Sequence, residues 1–338
     1  MEPLALASKL SISVVVPAYN AEKVIDRCLD ALLDQTVPAE KVEVIVVDDG
    51  SSDGTSARIL AHSSVRLIRH EHAGPAAARN LGVQRAAGEI VLFTDADCAA
   101  APDWIEKMAA PFALGRHAGE PAVDGVKGAY LTRQAEPVAR FVQAEYEDRY
   151  EHMARQDSID FVDTYAAGYR RDVLLMHGGF DTAFPAASVE DQELSYRLAA
   201  AGHRLVFVPD ARVYHMGHPD NLWAYARRKA KIGYWKALVL RKHPHKLAGD
   251  SHTPASLKAH IALVGLALVC LLGSILWPPL AWGALLSAVA FLLSTVPFAR
   301  KQWPADRALA VLSPLFLLVR ALALGAGLAA GVVAQLFA

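Results

Sequence analysis

Residues 89–98, EIVLFTDADC, place two carboxylates, Asp95 and Asp97, directly after a run of β-forming residues. The run is short and continuously apolar, which is typical of a strand buried on both faces of a parallel sheet. Alternate side chains of an extended strand point to opposite faces, so the chain must turn at residues 95–97 if both acids serve one site. Carboxylate oxygens suit a hard divalent cation, Mg²⁺ or Mn²⁺. A solvated turn that caps a helix is the alternative.

The segments that precede this strand predict more of the same sheet. Two further buried strands are expected, at residues 11–16 and 42–47, and a short strand is expected at residues 65–68. Helices are expected at residues 21–34, capped by Asn20, and at residues 75–88. Strands that alternate with helices in this way indicate an α/β domain with a mostly parallel central sheet and helices on both faces.

Ligands of such sheets bind beyond the carboxyl ends of the strands. Residues 17–20, 48–52 and 95–97 each follow a predicted strand, so we expect them to meet at one edge of the sheet. The rest of the domain is less regular. We predict helices at residues 137–153, 170–177 and 191–201 and strands at residues 204–208 and 212–214.

The last eighty residues are almost purely apolar, which explains the positive mean hydropathy of +0.22. Residues 261–277 and 280–298 carry no charge and approach membrane-spanning length, with Pro278 and Pro279 as a turn between them. Residues 308–338 are apolar apart from Arg320, which predicts either a re-entrant pair of helices or an arginine facing a partner helix. We therefore expect two to four spans. A water-soluble helical bundle is the alternative.

A basic segment precedes the apolar tail. It contains one acid, Asp250, and nine cationic side chains: Arg227, Arg228, Lys229, Lys231, Lys236, Arg241, Lys242, Lys246 and Lys258. This placement favours anionic lipid headgroups on the inner side of a membrane. Nucleic acid is not an expected partner, because the chain has no recognised nucleic-acid motif.

These features predict three segments: a catalytic domain at residues 1–220, a basic interfacial region at residues 221–258 and a transmembrane region at residues 259–338. The amino-terminal sequence MEPLALASKL is too short and acidic for a signal peptide, so we expect a cytoplasmic catalytic domain on a multi-pass protein of the inner (cell) membrane. The three cysteines show neither zinc-site nor disulfide spacing, which favours a reducing compartment.

Five sequence segments occur in the following order along the chain: VVVPAYN, VVDDGSSDGT, GPAAARNLG, TDAD, and GGFDTAF followed by VEDQELSYRLAAAGHRLVFVPDARVYH. In these segments the chain resembles the family 2 glycosyltransferases, which have the GT-A fold. The resemblance covers roughly residues 11–235. It implies that the sheet edge binds a nucleoside-diphosphate sugar, with UDP favoured as the nucleotide.

The resemblance assigns residues to the donor. Those that match the donor-binding segments of the family are Pro17, Ala18, Tyr19, Asp49, Arg79 and Asp95. The first three would frame the base, Asp49 would bond to it, Arg79 would lie near the phosphates or ribose, and Asp95 would bind the ribose. A plain turn is the alternative for Asp49, and a salt-bridged helix surface is the alternative for Arg79.

The resemblance also assigns the reacting groups. Asp97 matches the metal ligand, and His215 would complete a Mn²⁺ or Mg²⁺ site. Asp191 matches the general base, and neighbouring acids would raise its pKa through like-charge repulsion. Glu190 and Gly179 fall on the acceptor side. Acids are also common at a helix start for dipole reasons, and the histidine could be a buried structural residue.

The implied reaction is transfer of one sugar, with inversion, to a lipid-linked or glycan acceptor. The Q-x-x-R-W signature of processive members is missing; RRKAKIGYWKAL stands at residues 227–238 instead. A nicotinamide-dependent dehydrogenase is excluded, because no glycine-rich loop follows the first strand. A nucleotidyltransferase and a membrane-tethered sugar-nucleotide binder remain as alternatives.

Overall fold

The computed structural model describes residues 10–114, 122–184 and 188–337. The chain divides into two compact units. The first consists of Met1–Arg133 and Tyr150–Gly217, and the second consists of Gln134–Arg149 and His218–Ala338. The segment limits expected from composition, at residues 220 and 258, stay predictions.

Among the described residues, the first unit holds one sheet of eight strands in the order β3-β2-β1-β4-β7-β6-β8-β5. The strands are β1 (Ile12–Ala18), β2 (Val42–Asp49), β3 (Val65–His70), β4 (Ile90–Phe93), β5 (Cys98–Ala100), β6 (Gly125–Thr132), β7 (Ala167–Arg170) and β8 (Leu205–His215). The helices along the same stretch of chain are α1 (Ile25–Leu33), α2 (Thr55–Leu60), α3 (Pro75–Arg85), α4 (Trp104–Leu114), α5 (Pro137–Met153), α6 (Arg171–Met176) and α7 (Glu190–Ala200).

The first half of the sheet is parallel, as predicted. Strand β1 pairs in parallel with β2 and with β4, and β2 pairs in parallel with β3. The carboxyl ends of these strands therefore share one edge, which carries the residues that follow them. The sheet as a whole is mixed, because β7 pairs antiparallel with both β4 and β6.

The four strands predicted from apolar runs are confirmed, but β3 is only partly buried. All four residues of β4 are fully buried, and so is the centre of β1, Val14 to Val16. β-branched side chains fit a pleated surface that is covered on both faces, which explains why these runs form the middle of the sheet.

Two local predictions are wrong. Asn20 does not cap the first helix: it adopts a left-handed φ of 49°, and its Oδ1 accepts the N–H of Ser52 at 2.9 Å. This bond ties together the loops after β1 and β2, and the helix starts only at Ile25. The two strands expected near residues 204–214 are one strand, β8, whose register with β6 shifts between Lys127 and Ala129.

The second unit is helical. Its helices after α5 are α8 (Leu222–Lys242), α9 (Ala255–Gly273), α10 (Leu280–Gln302) and α11 (Arg307–Leu336). Within the described part of the chain, three helices, α9 to α11, are long and apolar enough to cross a membrane. Many of their apolar side chains are exposed, including Val269, Leu286 and Val311, so lipid is a better environment for this surface than water.

The predicted re-entrant break at Arg320 is wrong, because α11 is one continuous helix of 30 residues. The alternative, an arginine facing a partner helix, describes the structure. Arg320 donates from Nη1 to Oε1 of Glu145 at 3.0 Å, and its Nη2 lies 3.0 Å from Nδ1 of His260. A buried arginine is tolerated in an apolar helix when its two terminal nitrogens are paired in this way.

Candidate active site

The carboxylate of Asp49 organises one end of the sheet edge. Its Oδ1 accepts the N–H of Ala73 and its Oδ2 accepts the N–H of Gly74, both at 2.9 Å. Nδ1 of His72 lies 2.9 Å from Oδ2, and the half-exposed ring of Tyr19 stacks on His72 with centroids 4.2 Å apart. Asp49 therefore fixes the loop that begins α3, and Tyr19 presents a flat aromatic surface beside it.

The neighbouring residues at this end have structural contacts. Pro17 and Ala18 end β1 in register with Val47 and Asp48 of β2. Asp48 is buried; its Oδ1 accepts the N–H of Ser51 at 2.9 Å, which is the hydrogen bond of a turn. Asp48 therefore stabilises the turn, while the more exposed residues of this loop remain available to a ligand.

Arg79 joins the end of β4 to the start of α7. Its guanidinium is 3% exposed; Nη2 donates to Oδ1 of Asp95 at 3.0 Å and Nη1 donates to Oε1 of Glu190 at 2.8 Å. The ring of Phe180 lies beneath it, with the guanidinium carbon 5.6 Å from the ring centroid. Burial alone would lower the pKa of Arg79, but Asp95, Glu190 and Asp191 outweigh that effect and raise it. The predicted ribose ligand and the Glu-Asp pair therefore meet at one cation.

Asp97, Cys98 and His215 form the second group at this edge. Oδ2 of Asp97 lies 3.4 Å from Nε2 of His215, and the ligand atoms of the three residues all lie within 4.8 Å of one another. The antiparallel pairing of β5 with β8 places Cys98 opposite His215. The ring of Tyr130 stacks on the imidazole at 5.3 Å and holds its plane. Two of these three residues were predicted as metal ligands from the sequence; Cys98 was not.

The donor set of this group fits a divalent cation. A carboxylate and a neutral imidazole side by side suit Mn²⁺, and Mg²⁺ less well. Burial raises the pKa of the Cys98 thiol, so its sulfur is protonated in the metal-free protein. The N–H of Gly217 donates to Nδ1 of His215 at 3.1 Å, which leaves the proton of a neutral ring on Nε2. Binding of a cation at Nε2 therefore requires the opposite tautomer and a small movement of Gly217.

Asp191 lies in the first turn of α7. Its Oδ1 accepts the N–H of Gln192 at 2.8 Å and its Oδ2 accepts the N–H of Thr164 at 3.4 Å. Burial and then the charge of Glu190 raise the pKa of Asp191 to about 7, against the opposing effect of Arg79. The sequence analysis expected repulsion between acids to raise this pKa. In the structure, burial is the larger cause.

Two of the acids near Asp191 are held by other groups. Glu190 is buried, bonded to Arg79 and also to the N–H of Ser188 at 2.8 Å. Glu193 forms an ion pair with Arg197 at 2.8 Å. Contrary to the expectation from the sequence, Glu193 therefore does not raise the pKa of Asp191. The helix-start alternative therefore describes Glu193 well.

Gly179 has a close-packed backbone role. It has a φ of 69°, and a Cβ at this position would lie 2.3 Å from Oδ1 of Asn80, so only glycine fits. The side chain of Asn80 bonds twice to the backbone of Phe180: Oδ1 accepts the N–H of Phe180, and Nδ2 donates to its carbonyl, each at 2.8 Å. The acceptor-side assignments of Gly179 and Glu190 stay predictions.

Sequence reasoning missed a buried lysine behind the site. Lys127 in β6 is completely buried, pairs with the carboxylate of Asp163 and donates to the hydroxyl of Tyr165 at 2.9 Å. Residues 163–165 carry the N–H that bonds to Asp191 and the ring of Tyr165 that packs edge-on against Tyr130. A lysine inside the apolar strand GVKGAYLT was the available signal, since lysine is almost never fully buried without a partner.

An α/β sheet with this parallel half, an acidic turn after β4 and a histidine beside it defines the GT-A class of fold. Residues 13–176 match the family model described as Glycosyl transferase family 2. Residues 13–176 therefore form a glycosyltransferase family 2 domain.

Curated relatives agree with this assignment. The chain is 30% identical over 250 residues to the pre-mycofactocin glycosyltransferase of Mycobacterium tuberculosis, covering 71% of this chain and 50% of that protein. It is 41% identical over 101 residues to the glycosyltransferase AglE of Haloferax volcanii, covering 28% of this chain and 33% of that protein. The chain spans half or less of the length of these two relatives.

Solved structures show the same fold. The mannosyltransferase PcManGT of Pyrobaculum calidifontis, in complex with GDP-Man and Mn²⁺, matches 95% of this chain and 87% of its own with a TM-score of 0.60 and 22% identity. S. aureus TarS 1–349, in complex with UDP, matches 93% of this chain and 90% of its own with a TM-score of 0.50 and 19% identity.

Proposed function

We propose that this protein is a metal-dependent, inverting glycosyltransferase that moves one sugar from a nucleoside diphosphate to a lipid-linked or glycan acceptor at the cytosolic face of the cell membrane. The observation that carries the proposal is the carboxylate of Asp191. Its pKa is raised to about 7, and it adjoins Glu190, which Arg79 links to Asp95. A base that is ionised near neutral pH lies next to the residues expected to hold the donor.

The donor would lie along the edge of the sheet. Tyr19 would stack on the base and Asp95 would bond to the ribose. Asp97 and His215 would hold a divalent cation, which when bound neutralises charge on the departing diphosphate. GDP-Man and Mn²⁺ in PcManGT, and UDP in TarS, support a nucleoside-diphosphate donor for the shared fold. We favour UDP as the nucleotide.

Asp191 would accept the proton of the attacking hydroxyl. The N–H groups of Gln192 and Thr164 orient its two oxygens, so the basic lone pairs have a fixed direction. The acceptor oxygen then attacks the anomeric carbon opposite the leaving group, and the configuration inverts. Arg79 limits the proton affinity of Asp191, which keeps a fraction of the base ionised at neutral pH.

The acceptor is proposed from the second unit. Three helices able to cross a membrane follow the basic helix α8, whose last turn carries Arg241 and Lys242. Basic side chains of this kind favour the anionic cytosolic leaflet. A catalytic domain tethered there would meet acceptors that are embedded in, or assembled at, the membrane.

Replacement of Asp191 by asparagine tests the proposal. Purified full-length protein is first given UDP-, GDP- and dTDP-sugars, and Mn²⁺-dependent release of nucleoside diphosphate identifies the donor. With that donor and an acceptor that carries a free hydroxyl, Asp191→Asn is expected to lower kcat by a factor of about 100 to 10,000, the usual contribution of a general base. Donor affinity should change little, because Asp191 is placed on the acceptor side of the bond.

Asp172→Asn is the matched control. Asp172 is exposed, lies in the first turn of α6 and bonds to the next N–H at 2.9 Å, so it repeats the local geometry of Asp191 away from the edge of the sheet. This variant should keep wild-type kcat. Near-normal turnover by Asp191→Asn with the hydroxyl acceptor, or release of pyrophosphate in place of nucleoside diphosphate, would contradict the proposal.

A further inference from the structure

A second cluster of ligating side chains lies in the first unit, away from the candidate active site. The Nε2 atoms of His177 and His203 are 2.8 Å apart, and the two rings are nearly perpendicular, at 89°. Nδ1 of His203 lies 2.9 Å from Oδ2 of Asp124. Two imidazoles therefore place the same nitrogen at hydrogen-bond distance from each other, and a carboxylate supports one of them from behind.

The topology separates this cluster from the active site. Asp124 immediately precedes β6, which runs in the same direction as β4 because both pair antiparallel with β7. The start of β6 thus lies at the edge opposite the acids that follow β4. Helix α7 begins at Glu190 and ends at Ala200, three residues before His203. Its 11 residues give a separation of about 16 Å at 1.5 Å per residue.

The hydrogen bonds determine where the protons lie. A carboxylate can only accept, so Nδ1 of His203 carries the proton, and Nε2 of His203 has a free lone pair that faces His177. In the metal-free protein, Nε2 of His177 donates to that lone pair. When the proton of His177 moves to its Nδ1, both Nε2 atoms carry a free lone pair 2.8 Å apart, without any change in net charge. A carboxylate behind a ligating histidine is the usual support of a protein metal site.

The spacing selects a class of metal. Metal–imidazole bonds are about 2.0–2.1 Å long, so two nitrogens at a right angle about one ion lie roughly 2.8–3.0 Å apart. A tetrahedral ion would need a spacing of about 3.3 Å at the same bond length. The observed 2.8 Å matches the right angle of tetragonal Cu²⁺ or Ni²⁺ coordination. We propose that His177 and His203 form a binding site for a tetragonal transition-metal ion, Cu²⁺ or Ni²⁺, with Asp124 as the support of His203.

Three further features favour a cation at this point. His177 directly follows α6, and His203 lies three residues beyond α7, so both stand near the negative ends of helix dipoles. Both rings are partly exposed, which leaves coordination positions for water. The carboxylate of Asp124 places a negative charge beside His203. The nearby Arg197 is held by Glu193 at 2.8 Å, which offsets its charge.

Copper binding to the full-length protein tests this site. The experiment uses a background in which Asp97→Ala and His215→Ala remove the candidate catalytic ligands, and it adds up to one equivalent of Cu²⁺. The electron paramagnetic resonance spectrum should be axial, with hyperfine splitting from two imidazole nitrogens. His177→Asn or His203→Ala should lower the affinity for this first equivalent of Cu²⁺ at least tenfold. The spectrum should then show splitting from at most one imidazole nitrogen. Asp124→Asn should lower the copper affinity about tenfold, while the splitting from both imidazole nitrogens remains.

His62→Ala is the matched control, because His62 also contacts a carboxylate, Asp30 at 3.2 Å, but its other ring nitrogen faces a backbone carbonyl. It should bind copper like the background. His177→Asn retains a hydrogen-bond donor toward His203, and thermal unfolding without copper shows that each variant is folded. The proposal is overturned if the two histidine variants bind the first equivalent as tightly as the background, or if His62→Ala weakens it equally. Because the catalytic ligands are absent from the background, neither result depends on the proposed glycosyl transfer.

Discussion

Each unit of the molecule contains a carboxylate in a desolvating environment, and the pKa values of the two shift in opposite directions. In the first unit, burial and the charge of Glu190 raise the pKa of Asp191 to about 7, with Arg79 as the opposing cation. In the second unit, burial alone would raise the pKa of Glu145, but Lys229, Arg320 and Arg149 outweigh it and lower the pKa to about 2. Burial is common to both, so the ratio of acids to bases decides the outcome.

The difference separates a reactive cluster from a structural one. Around Arg79 the acids outnumber the base, and such an excess of negative charge favours the uptake of a proton or a metal ion. Glu145 is satisfied on all sides: Lys229 at 2.9 Å, Arg320 at 3.0 Å and the hydroxyl of Tyr225 at 3.0 Å. It joins three helices of the second unit and has no free proton-accepting role near neutral pH.

The largest expected effect comes from the metal side of the acid-rich cluster. Asp97→Asn should lower kcat on the order of a thousandfold, because a Lewis-acid cation contributes several kcal/mol to the transition state of diphosphate departure. Titration of activity with Mn²⁺ should also require a higher metal concentration. Asp103→Asn, a change at an exposed acid paired with Lys107, should leave both quantities unchanged. An Asp97→Asn enzyme with wild-type rate and wild-type Mn²⁺ dependence would show that the cation binds elsewhere.

The next effect concerns stability. Glu145→Gln leaves Lys229 and Arg320 buried without their counter-charge, and should destabilise the second unit by about 3–5 kcal/mol. The ion pairs stabilise the fold above the unfolded pKa of glutamate, about 4.3, and this contribution is lost as the pH falls toward the folded pKa of about 2. Unfolding in detergent, followed by circular dichroism, should therefore show a gap between wild type and variant that closes as the pH falls through this range.

Glu147→Gln is the control for this change, because Glu147 is exposed one half-turn along the same helix. It should unfold like the wild type, and the folded fraction of Glu145→Gln should retain its specific activity. The structural assignment of the second cluster would be wrong if Glu145→Gln were as stable as Glu147→Gln. It would also be wrong if the folded fraction of Glu145→Gln were inactive.

The smallest expected effect is a displacement of the pH profile. Asp191 must be ionised to act, so kcat/KM should fall on the acid side with a midpoint near 7. Glu190→Gln removes the neighbouring negative charge and keeps a hydrogen-bond acceptor for Arg79. It should therefore move the acid limb to lower pH by roughly half a unit. A limb that stays in place or moves upward would show that Glu190 does not act on Asp191 through its charge.

The parallel half of the fold was predictable because its strands are continuous apolar runs. Strands β1, β2 and β4 bury both faces, and this burial leaves a direct pattern in the sequence. Strands β5, β6 and β7 were missed. They are short or contain glycine and lysine, as in GVKGAYLT and AGYR, and they exist through pairing with distant parts of the chain.

Candidate site residues could be named from the sequence, but their contacts could not. Asp95, Asp97, Asp191 and His215 follow from motif and resemblance. No sequence pattern shows that one arginine, Arg79, bonds to acids 16 and 111 positions away. Nor does it show that Lys127 lies behind the segment that orients Asp191. Such contacts depend on tertiary packing, and they determine which acid keeps a raised pKa.

The most direct test of the central claim is the titration of Asp191 itself. Difference infrared spectra of wild type minus Asp191→Asn, recorded across a pH series, isolate the carboxyl stretch of this one residue. The protonated band should appear as the pH falls through about 7. A band that appears only below about 5, near the range of an ordinary aspartate, would contradict the account.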